Sequence, residues 1–374
     1  MKGIRKMKVL QIGLSSIMGG IESFSLNYFT KLSEYGVLFD YADIYGAGIA
    51  GDDRIKSLGG KILTLPNYKR NPLRFISRLT KLLKEEQYDA VHINIQTAAN
   101  ILTVLAANRA GIIPVVHAHT VNAVGAFRSV LHRMNVHKLR KIPCIRLACS
   151  QEAGEWLWSA PDFRIIPNAV DLKQFAFSAE NRKRIRSQLS IEEDTVLLGY
   201  VGRLEPVKNP LFAVHMFEQY VKMYPNVKIK LIIVGEGSLT PQIRNEILEK
   251  GMEDSVIMTG MQKNVSQYLS AMDLFIMPSL HEALSLAAVE AQANGLCCLF
   301  ADTISADLNI LETAEFLPLD NVERWAEYIH ALAEKPRCGR IAATEIVEKT
   351  QFNINLSAVT LLDVYHEAMR INGR

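Results

Sequence analysis

The amino-acid sequence predicts an α/β protein with parallel sheets and two domains. Short apolar runs typical of buried strands alternate with helix-forming segments along most of the 374-residue chain. Strands that alternate with helices favour a parallel sheet covered by helices on both faces. The length is sufficient for two domains, each large enough to bury a core of its own.

The most informative stretch is a strand, a tight turn and a helix between residues 273 and 295. Asp-Leu-Phe-Ile-Met-Pro at 273–278 predicts a buried strand that ends at a proline. Residues 283–293 are rich in strong helix formers, and Asn294-Gly295 is a favourable C-terminal cap. The helix N-terminus therefore faces the carboxyl end of the strand. Open α/β sheets bind anionic ligands there, through free backbone N–H groups and the helix dipole.

Two carboxylates flank this turn, Glu282 at its mouth and Glu290 inside the helix. Helical geometry would separate them by about 12 Å along the helix axis and about 80° around it. One ligand could touch both if it had a polyanionic middle and hydroxyls at each end, as a nucleotide diphosphate sugar does. The alternative is that Glu282 only complements the helix dipole and Glu290 is a solvated surface residue.

The first half of the chain predicts six further strands. In chain order they are residues 9–13, 38–45, 62–65, 90–94, 113–119 and 145–150. The first strand opens into a loop in which adjacent Gly19 and Gly20 let the backbone approach a ligand closely. This loop lacks the Gly-x-Gly-x-x-Gly pattern of a dinucleotide site.

His117 and His119 lie two residues apart at the end of a predicted strand, so they share one side of it. One interpretation is an imidazole that binds hydroxyls or stabilises charge at a ligand crevice. The other is a hydrogen-bonded, half-buried pair with a structural role. A His-x-His metal site needs a third ligand, and the sequence offers none that can be placed.

The second half predicts strands at 196–202, 228–235 and 256–260. The polar, charged residues that precede them, up to Asp194, predict a linker into this domain. Arg203 and Lys208 follow the first of these strands in a loop, where two cations can hold a diphosphate. The alternative is a surface loop salt-bridged to Glu205.

The charge is unevenly distributed. Residues 1–170 hold 22 Lys+Arg and 12 Asp+Glu, a net charge of +10, and the remainder carries −7 of the chain's total of +3. No acidic residue occurs between Gly111 and Ser150. A predicted helix at 72–87 also has a basic outer face, which is either solvated or suited to a membrane surface: Arg74, Arg78, Lys81 and Lys84. A basic half joined to an acidic half predicts a polyanionic partner for the first.

Composition also indicates the cellular compartment of the protein. No run approaches the roughly eighteen apolar residues of a membrane span. The basic N-terminus is not followed by the long apolar region of a secretory signal. Five cysteines without metal-like spacing are typical of a reducing cytosol. We therefore expect a cytoplasmic protein.

Several short motifs, taken in order, resemble those of the retaining glycosyltransferases of family four. They are Gly-Gly-Ile-Glu at 19–22, Ile-Pro-Asn-Ala-Val-Asp-Leu-Lys-Gln-Phe at 166–175, Val-Gly-Arg-Leu-Glu-Pro-Val-Lys-Asn-Pro at 201–210, Val-Gly-Glu-Gly at 234–237, Pro-Ser-Leu-His-Glu at 278–282 and Glu-Ala-Gln-Ala-Asn-Gly at 290–295. The spacing of Glu282 and Glu290 is that family's signature. Residues 117–120 and 148–158 look most similar to bacterial capsule and exopolysaccharide enzymes.

The resemblance implies a GT-B architecture, in which two facing Rossmann-like domains border a central cleft. Residues 1–170 would form the acceptor-binding domain and residues 171–355 the nucleotide-sugar domain. Residues 356–374 would form a helix that packs back on the first domain. The implied reaction moves a hexose or N-acetylhexosamine from a nucleotide diphosphate sugar, most simply a UDP-sugar, to a lipid-linked saccharide at the inner face of a bacterial membrane. The family generally needs no divalent metal or other cofactor.

The resemblance also implies roles for individual residues. Arg203 and Lys208 would hold the diphosphate and stabilise the leaving nucleotide. Glu282 and His119 would line the donor sugar, and Glu290 would bind the ribose. Gly19 and Gly20 would let their loop approach the phosphates or the acceptor. Further donor contacts would come from the start of the helix after Glu282: Ala283, Leu284, Ser285 and Leu286.

The chain departs from the family pattern after Glu282, where Ala-Leu-Ser replaces the common Gly-Phe/Leu-Pro, and Ala283 restricts the turn more than glycine would. No charge that the chemistry needs is lost, so we expect an active enzyme. A nicotinamide dehydrogenase should show the three-glycine pattern, and an exported sugar receptor should carry a signal segment. A catalytically inactive GT-B scaffold or nucleotide-sugar-binding partner subunit remains the alternative.

Overall fold

A computed structural model describes residues 6–120, 125–159, 161–282, 284–334 and 340–373. The chain forms two compact units. The first unit consists of Met1–Val170 and Ile354–Arg374, and the second of Asp171–Asn353.

Thirteen strands and fourteen α-helices are found in the described parts of the chain. The strands are β1 (Met7–Ile12), β2 (Val37–Asp43), β3 (Ile62–Thr64), β4 (Ala90–Ile95), β5 (Val115–Ala118), β6 (Ile145–Ala148), β7 (Arg164–Ile165), β8 (Val196–Val201), β9 (Ile229–Val234), β10 (Val256–Gly260), β11 (Leu274–Met277), β12 (Cys297–Ala301) and β13 (Glu315–Leu317). The helices are α1 (Gly20–Ser33), α2 (Asp52–Ser57), α3 (Pro72–Glu85), α4 (Leu102–Arg109), α5 (Ala126–Leu139), α6 (Gln151–Trp158), α7 (Ala179–Gln188), α8 (Pro210–Met223), α9 (Thr240–Glu249), α10 (Val265–Ala271), α11 (Leu286–Ala293), α12 (Val322–Ala333), α13 (Arg340–Val347) and α14 (Ile354–Ile371).

Each unit contains one parallel sheet. The strand order is β3-β2-β1-β4-β5-β6-β7 in the first sheet and β10-β9-β8-β11-β12-β13 in the second. The prediction of two parallel-sheet α/β domains is confirmed. In both sheets the order reverses beside the unit's first strand, between β1 and β4 and between β8 and β11. Such switch points open a crevice at the carboxyl ends of the strands, where α/β proteins bind ligands.

Helices cover both faces of the first sheet. One apolar core contains side chains from α3, α4, α5 and α6. The core on the other face contains side chains from α1, α2 and α14. Strand side chains alternate between the two, so that Leu10 and Ile12 enter the first core and Val9 the second.

The last helix, α14, belongs to the first unit and packs against α1. Its Tyr365 is fully buried, and Asn372, just beyond its end, exchanges two hydrogen bonds with the backbone of Ile113, at 2.8 and 3.2 Å. The second unit ends at Asn353, two residues before the predicted boundary at 355. No helix of the described residues is both long enough and apolar enough to span a bilayer.

The predicted linker before Asp194 is wrong, because this stretch contains α7, which packs on α10. Arg186 of α7 is buried and pairs with the buried Asp273 at 3.2 Å, while Arg182 pairs with the same carboxylate at 2.9 Å. Arg186 also donates to the backbone oxygen of Thr195, at 2.6 Å. Two of the charged residues in the predicted linker are therefore neutralised by a carboxylate inside the unit.

Candidate active site

The switch point of the second sheet collects most of the predicted donor residues. β8 and β11 are adjacent and parallel, with Leu274 of β11 beside Leu198 of β8. The loop after β8 carries Arg203 and Lys208, and the loop after β11 carries Glu282. Because the two strands end at the same edge of the sheet, side chains far apart in the sequence meet there.

Lys208 and Glu282 form an ion pair between these two loops. The same carboxylate oxygen, Oε1 of Glu282, also accepts a hydrogen bond from Ser279 Oγ at 3.3 Å. A backbone bond from Leu280 N to Val207 O, 2.9 Å long, holds the loops together beside the pair. The Glu282 side chain is 9% exposed and the Lys208 side chain 22%. Oε2 of Glu282 has no hydrogen bond within the described residues and remains available to a ligand.

Tyr200, at the end of β8, contacts the loop that carries Arg203 and Lys208. Its single hydroxyl proton is shared between two backbone oxygens, that of Lys208 at 3.3 Å and that of Arg203 at 3.4 Å from the hydroxyl oxygen. Burial and the nearby Glu282 carboxylate raise the pKa of this hydroxyl, so it stays protonated and serves as a donor. This role could not be predicted from the sequence, because an aromatic residue in an apolar run is typical of a core strand.

The Arg203 side chain is exposed, and its guanidinium has no hydrogen bond or ion pair to any residue that the structure describes. The predicted alternative, in which the loop is salt-bridged to Glu205, is not what the structure shows. The Glu205 carboxylate instead accepts bonds from Ser238 N at 3.1 Å and Ser238 Oγ at 2.7 Å. The guanidinium is therefore available to an anionic ligand.

Close glycine packing fixes the backbone under this loop. Gly235, at the end of β9, has a φ of +149°, and a Cβ there would lie 1.9 Å from the backbone oxygen of Gly202. Beyond it, Leu204 and Glu236 join the two loops by a 3.0 Å backbone bond. A side chain at Gly235 would push the loop after β9 away from the cation loop.

The helix α11 begins at the same edge, at Leu286. Its N-cap residue, Ser285, is buried, and no described side chain caps the helix with a hydrogen bond. The first N–H groups of α11 are thus left for a ligand, and they form the positive end of the helix dipole. Leu284 is half-buried between Glu282 and the helix. Ala283 lies outside the described residues.

Glu290 lies one turn further along α11 and is half-buried. Its carboxylate has no hydrogen-bond or ion-pair partner among the described residues. Burial raises its pKa from 4.5 to about 8, so the group is mostly protonated at neutral pH. A solvated surface glutamate would not behave in this way. An unpartnered, half-buried carboxyl is suited to bind ligand hydroxyls.

The switch point of the first sheet contains the histidines. β1 and β4 are adjacent, and β5 lies beside β4. Gly13, directly after β1, has a φ of +104°, and a Cβ there would lie 2.1 Å from the backbone oxygen of Asn94. This position requires glycine, whereas the predicted Gly19 and Gly20 do not. Gly19 is the extended N-cap residue of α1, Gly20 is its first residue, and neither has a positive φ.

His117 and His119 belong to a buried polar network. His119 Nε2 lies 2.9 Å from Asn94 Oδ1, and His117 Nδ1 lies 3.3 Å from Nε2 of His92. The other nitrogen of His92, Nδ1, lies 2.7 Å from the hydroxyl of Tyr365. The network joins β4, β5 and α14. Sequence reasoning missed His92 and Tyr365, which are 273 positions apart.

The hydrogen bonds assign the tautomer of His119. Asn94 donates through Nδ2 to Gln11 Oε1, at 3.1 Å, and to the backbone oxygen of Ile12, at 3.2 Å. Its Oδ1 is therefore the atom that faces His119, and the His119 Nε2 must carry the proton. The His119 pKa lies well below 6.5 because the ring is buried beside His117 and His92. The neutral ring consequently leaves Nδ1 as a hydrogen-bond acceptor.

Two family models match the chain, one in each half. The model described as Glycosyltransferase Family 4 matches residues 19–174, and the model described as Glycosyl transferases group 1 matches residues 181–350. The chain is a glycosyltransferase. The resemblance predicted from the short motifs is confirmed.

This glycosyltransferase is similar to two named proteins over most of its length. EpsF of Bacillus subtilis (strain 168), which is named as a glycosyltransferase, is 27% identical over 376 residues, and the match covers 96% of each chain. An Escherichia coli enzyme named UDP-Gal:alpha-D-GlcNAc-diphosphoundecaprenol alpha-1,3-galactosyltransferase is 29% identical over 327 residues, which cover 79% of this chain and 80% of that one.

Solved structures show the same fold. Anabaena HepE in complex with UDP matches with a TM-score of 0.80 at 18% identity, over 96% of this chain and 100% of that chain. Sucrose-phosphate synthase from Thermosynechococcus elongatus matches with a TM-score of 0.76 at 18% identity, over 98% and 100%. The glycosyltransferase described here therefore has the GT-B fold.

Proposed function

We propose that this glycosyltransferase moves a hexose or N-acetylhexosamine from a UDP-sugar to a lipid-linked saccharide, with retention of the anomeric configuration, in bacterial cell-surface polysaccharide assembly. The observation that carries the proposal is the arrangement at the second switch point. Two cations, an uncapped helix N-terminus and two carboxyl groups with free oxygens are found around the carboxyl ends of β8 and β11. These groups complement a diphosphate that has hydroxyl-bearing rings at both ends.

Each group of this site has a role in the proposed donor complex. Arg203, Lys208 and the first N–H groups of α11 bind the diphosphate and stabilise the charge that develops on the leaving UDP. Because Lys208 and the N-terminus of α11 are held by the fold, they need little rearrangement when the charge forms. Glu290 binds the ribose hydroxyls through a carboxyl that has no partner among the residues that the structure describes.

Glu282 faces the reacting sugar in this proposal. Its Oε1 is occupied by Lys208 and Ser279, so Oε2 accepts a bond from a sugar hydroxyl. The positive charge of an oxocarbenium-like transition state strengthens this contact as the bond to UDP breaks. Transfer occurs on the face from which UDP leaves, and no protein nucleophile is required. In the first unit, Nδ1 of His119 accepts a bond from a sugar hydroxyl, and the first turn of α1 at Gly19 and Gly20 contributes backbone N–H groups.

The proposed acceptor is a saccharide on a membrane lipid. The name of the Escherichia coli relative specifies a diphosphoundecaprenol-linked sugar as its acceptor, and that relative matches four fifths of this chain. The net charge of +10 in residues 1–170 suits an anionic membrane surface at the inner face. We propose that the enzyme acts there as a peripheral protein.

A nucleotide-sugar screen tests the proposal. Release of UDP or another nucleotide is measured from a panel of donors, with polyprenyl-diphosphate-linked monosaccharides as acceptors. We expect release from a UDP-hexose or a UDP-N-acetylhexosamine, and NMR of the product should show the anomeric configuration of the donor. Tight UDP binding without turnover of any donor would instead favour an inactive scaffold or partner subunit. Inversion at the anomeric carbon would contradict the mechanism.

A further inference from the structure

Helix α5 presents three large apolar side chains to solvent. Phe127 is 76% exposed, Val130 46% and Met134 61%. Their spacing of three and four residues places them on one stripe of the helix, within about 60° around its axis. We call these three residues the apolar stripe. Such an exposed apolar patch is uncommon on a helix that packs only against the core of its own domain.

The packing of α5 does not use the stripe. The residues that bury this helix against the sheet are His132, Val136 and Leu139. They lie about 180° around the helix from the centre of the stripe. His132 is further fixed by a 3.2 Å bond from Ala98 N and by stacking on Trp156. The helix thus has two apolar faces, and the described residues of the first unit cover only one of them.

Cations border the apolar stripe on both sides. Arg133 lies on one side, and Lys138 and Arg128 lie on the other; all three are exposed. None of them forms an ion pair with a described residue. The helix contains no Asp or Glu, and neither does the whole stretch from Gly111 to Ser150. An apolar stripe between cations, with no acid nearby, complements an anionic lipid surface.

A second basic surface lies on the same side of the first sheet. α3 and α5 contribute to the same core, so they cover the same sheet face. Apart from Glu85, which pairs with Lys81, the solvent face of α3 is cationic: Arg74, Arg78, Lys81 and Lys84. Leu73 at the start of this helix is also exposed. The charge that would attract an anionic surface therefore extends beyond α5.

We propose that α5 is the membrane anchor of this enzyme. The side chains of the apolar stripe insert among the acyl chains of an anionic leaflet, and Arg128, Arg133 and Lys138 contact lipid phosphates. This inference rests on the proposed function for its biological purpose, since a lipid-linked acceptor must be reached at a membrane. The binding itself can be measured without a donor or an acceptor.

Vesicle co-sedimentation with three variants tests the proposal. Vesicles of phosphatidylcholine alone are compared with vesicles that also contain phosphatidylglycerol. The stripe variant carries Phe127→Ser, Val130→Ser and Met134→Ser, and the charge variant carries Arg128→Gln, Arg133→Gln and Lys138→Gln. The control variant carries Leu248→Ser and Met261→Ser, at two exposed apolar positions of the second unit. All positions are exposed, so folding should be retained, and circular dichroism checks this.

We expect the wild type and the control to bind anionic vesicles, and added salt to weaken binding. The stripe variant should bind at least tenfold more weakly, because burial of the three side chains in lipid is lost. The charge variant should bind more weakly, and its binding should depend less steeply on salt than that of the wild type. A fluorophore on Phe127→Cys should shift to shorter wavelength when anionic vesicles are added.

Three outcomes would overturn the proposal. In the first, the stripe variant binds anionic vesicles as the wild type does. In the second, the fluorophore on Phe127→Cys remains in water. In the third, the wild type does not bind vesicles but forms a dimer that the stripe variant cannot form. That result would show that the apolar stripe is a contact between copies of this chain. The stripe variant and the wild type should turn over the donor equally fast with a water-soluble acceptor. If neither turns over any donor, the proposed function fails, and this outcome is distinct from the membrane-binding result.

Discussion

Lys208 and Glu282 form an ion pair across the switch point of the second sheet, although 74 positions separate them in the chain. The cation that we propose binds the diphosphate and the carboxylate that we propose binds the sugar are thus in direct contact. The pair orients Glu282 so that Oε1 is occupied and Oε2 is not. It also keeps Lys208 from adopting the many conformations open to a solvated lysine.

The pair should contribute to stability as a coupled unit. Lys208→Met leaves the largely buried Glu282 carboxylate without its cation, which costs free energy of unfolding. Glu282→Gln removes the charge and retains a polar group next to Ser279. In a double-mutant cycle by chemical denaturation, we expect the double variant to lose less than the sum of the single variants, with a coupling of about 1 kcal/mol. Strict additivity would show that the pair has no energetic role.

Substitutions of the two glutamates at the donor site should affect different steps, one donor binding and the other the transfer reaction. Glu290→Ala removes contacts to a ribose that hardly changes in the reaction, so UDP should bind roughly tenfold to a hundredfold more weakly. Glu282→Ala removes a contact to the sugar, which UDP lacks, and it also releases Lys208 for the diphosphate. This variant should bind UDP at least as tightly as the wild type and lose mainly kcat.

Calorimetry with UDP and initial rates with the UDP-sugar measure these two effects. Glu249→Ala, an exposed glutamate of α9, is the matched control. If Glu290→Ala binds UDP as the wild type does, the ribose assignment is wrong.

Stability should fall with rising pH because of Glu290. Its folded pKa of about 8 exceeds the unfolded value of 4.5, so between these values the folded state holds a proton that the unfolded state releases. The free energy of unfolding therefore loses up to about 1.4 kcal/mol per pH unit from this group as pH rises through that range. Glu290→Gln removes the loss.

Thermal unfolding at pH 5 and pH 8 checks this dependence. The variant should gain Tm relative to the wild type at pH 8 and show a much smaller difference at pH 5. Glu249→Gln should show no such dependence on pH. A gain for Glu290→Gln that is equal at both pH values would contradict a raised pKa.

Transfer should not require a divalent cation. Arg203, Lys208 and the N-terminus of α11 supply the positive charge that a metal would otherwise provide for the diphosphate. Rates after treatment with EDTA should therefore equal those of the untreated enzyme. Loss of activity that magnesium or manganese restores would contradict this expectation.

The sequence predicted most strands within two residues at each end, because fully buried parallel strands read as continuous apolar runs. Prediction from the sequence failed where a contact with a residue distant in the chain determines the environment of a side chain. Arg186 reads as a surface or linker residue until Asp273, 87 positions later, is seen beside it. Periodicity carries no information about such a pairing.

The same limit applies to the candidate sites. Most of the predicted donor residues lie at the switch point of the second sheet, because the loops that carry them follow two adjacent strands, whereas Gly19, Gly20 and His119 belong to the first unit. The supports Tyr200, His92 and Tyr365 were missed because aromatic residues in apolar segments are ordinary core residues. Gly13 could have been found, since a glycine directly after the first strand is a common signal of close backbone approach.

The tautomer of His119 should depend on Asn94. Asn94→Leu keeps the size of the side chain but removes the acceptor for His119 Nε2–H and both bonds that orient the amide. The ring can then carry its proton on Nδ1, where it can no longer accept a bond from a sugar hydroxyl. We expect kcat to fall about tenfold with UDP affinity unchanged, because UDP has no contact with this network in the proposed complex.

Nitrogen-15 spectra of the imidazoles should show the Nε2–H form of His119 in the wild type and a mixture in Asn94→Leu. Asn108→Leu, on α4, is the control and should alter neither rate nor spectrum. An Nδ1–H form of His119 in the wild type would refute the assignment of the whole network, since Asn94 could then not be held by Gln11 and Ile12.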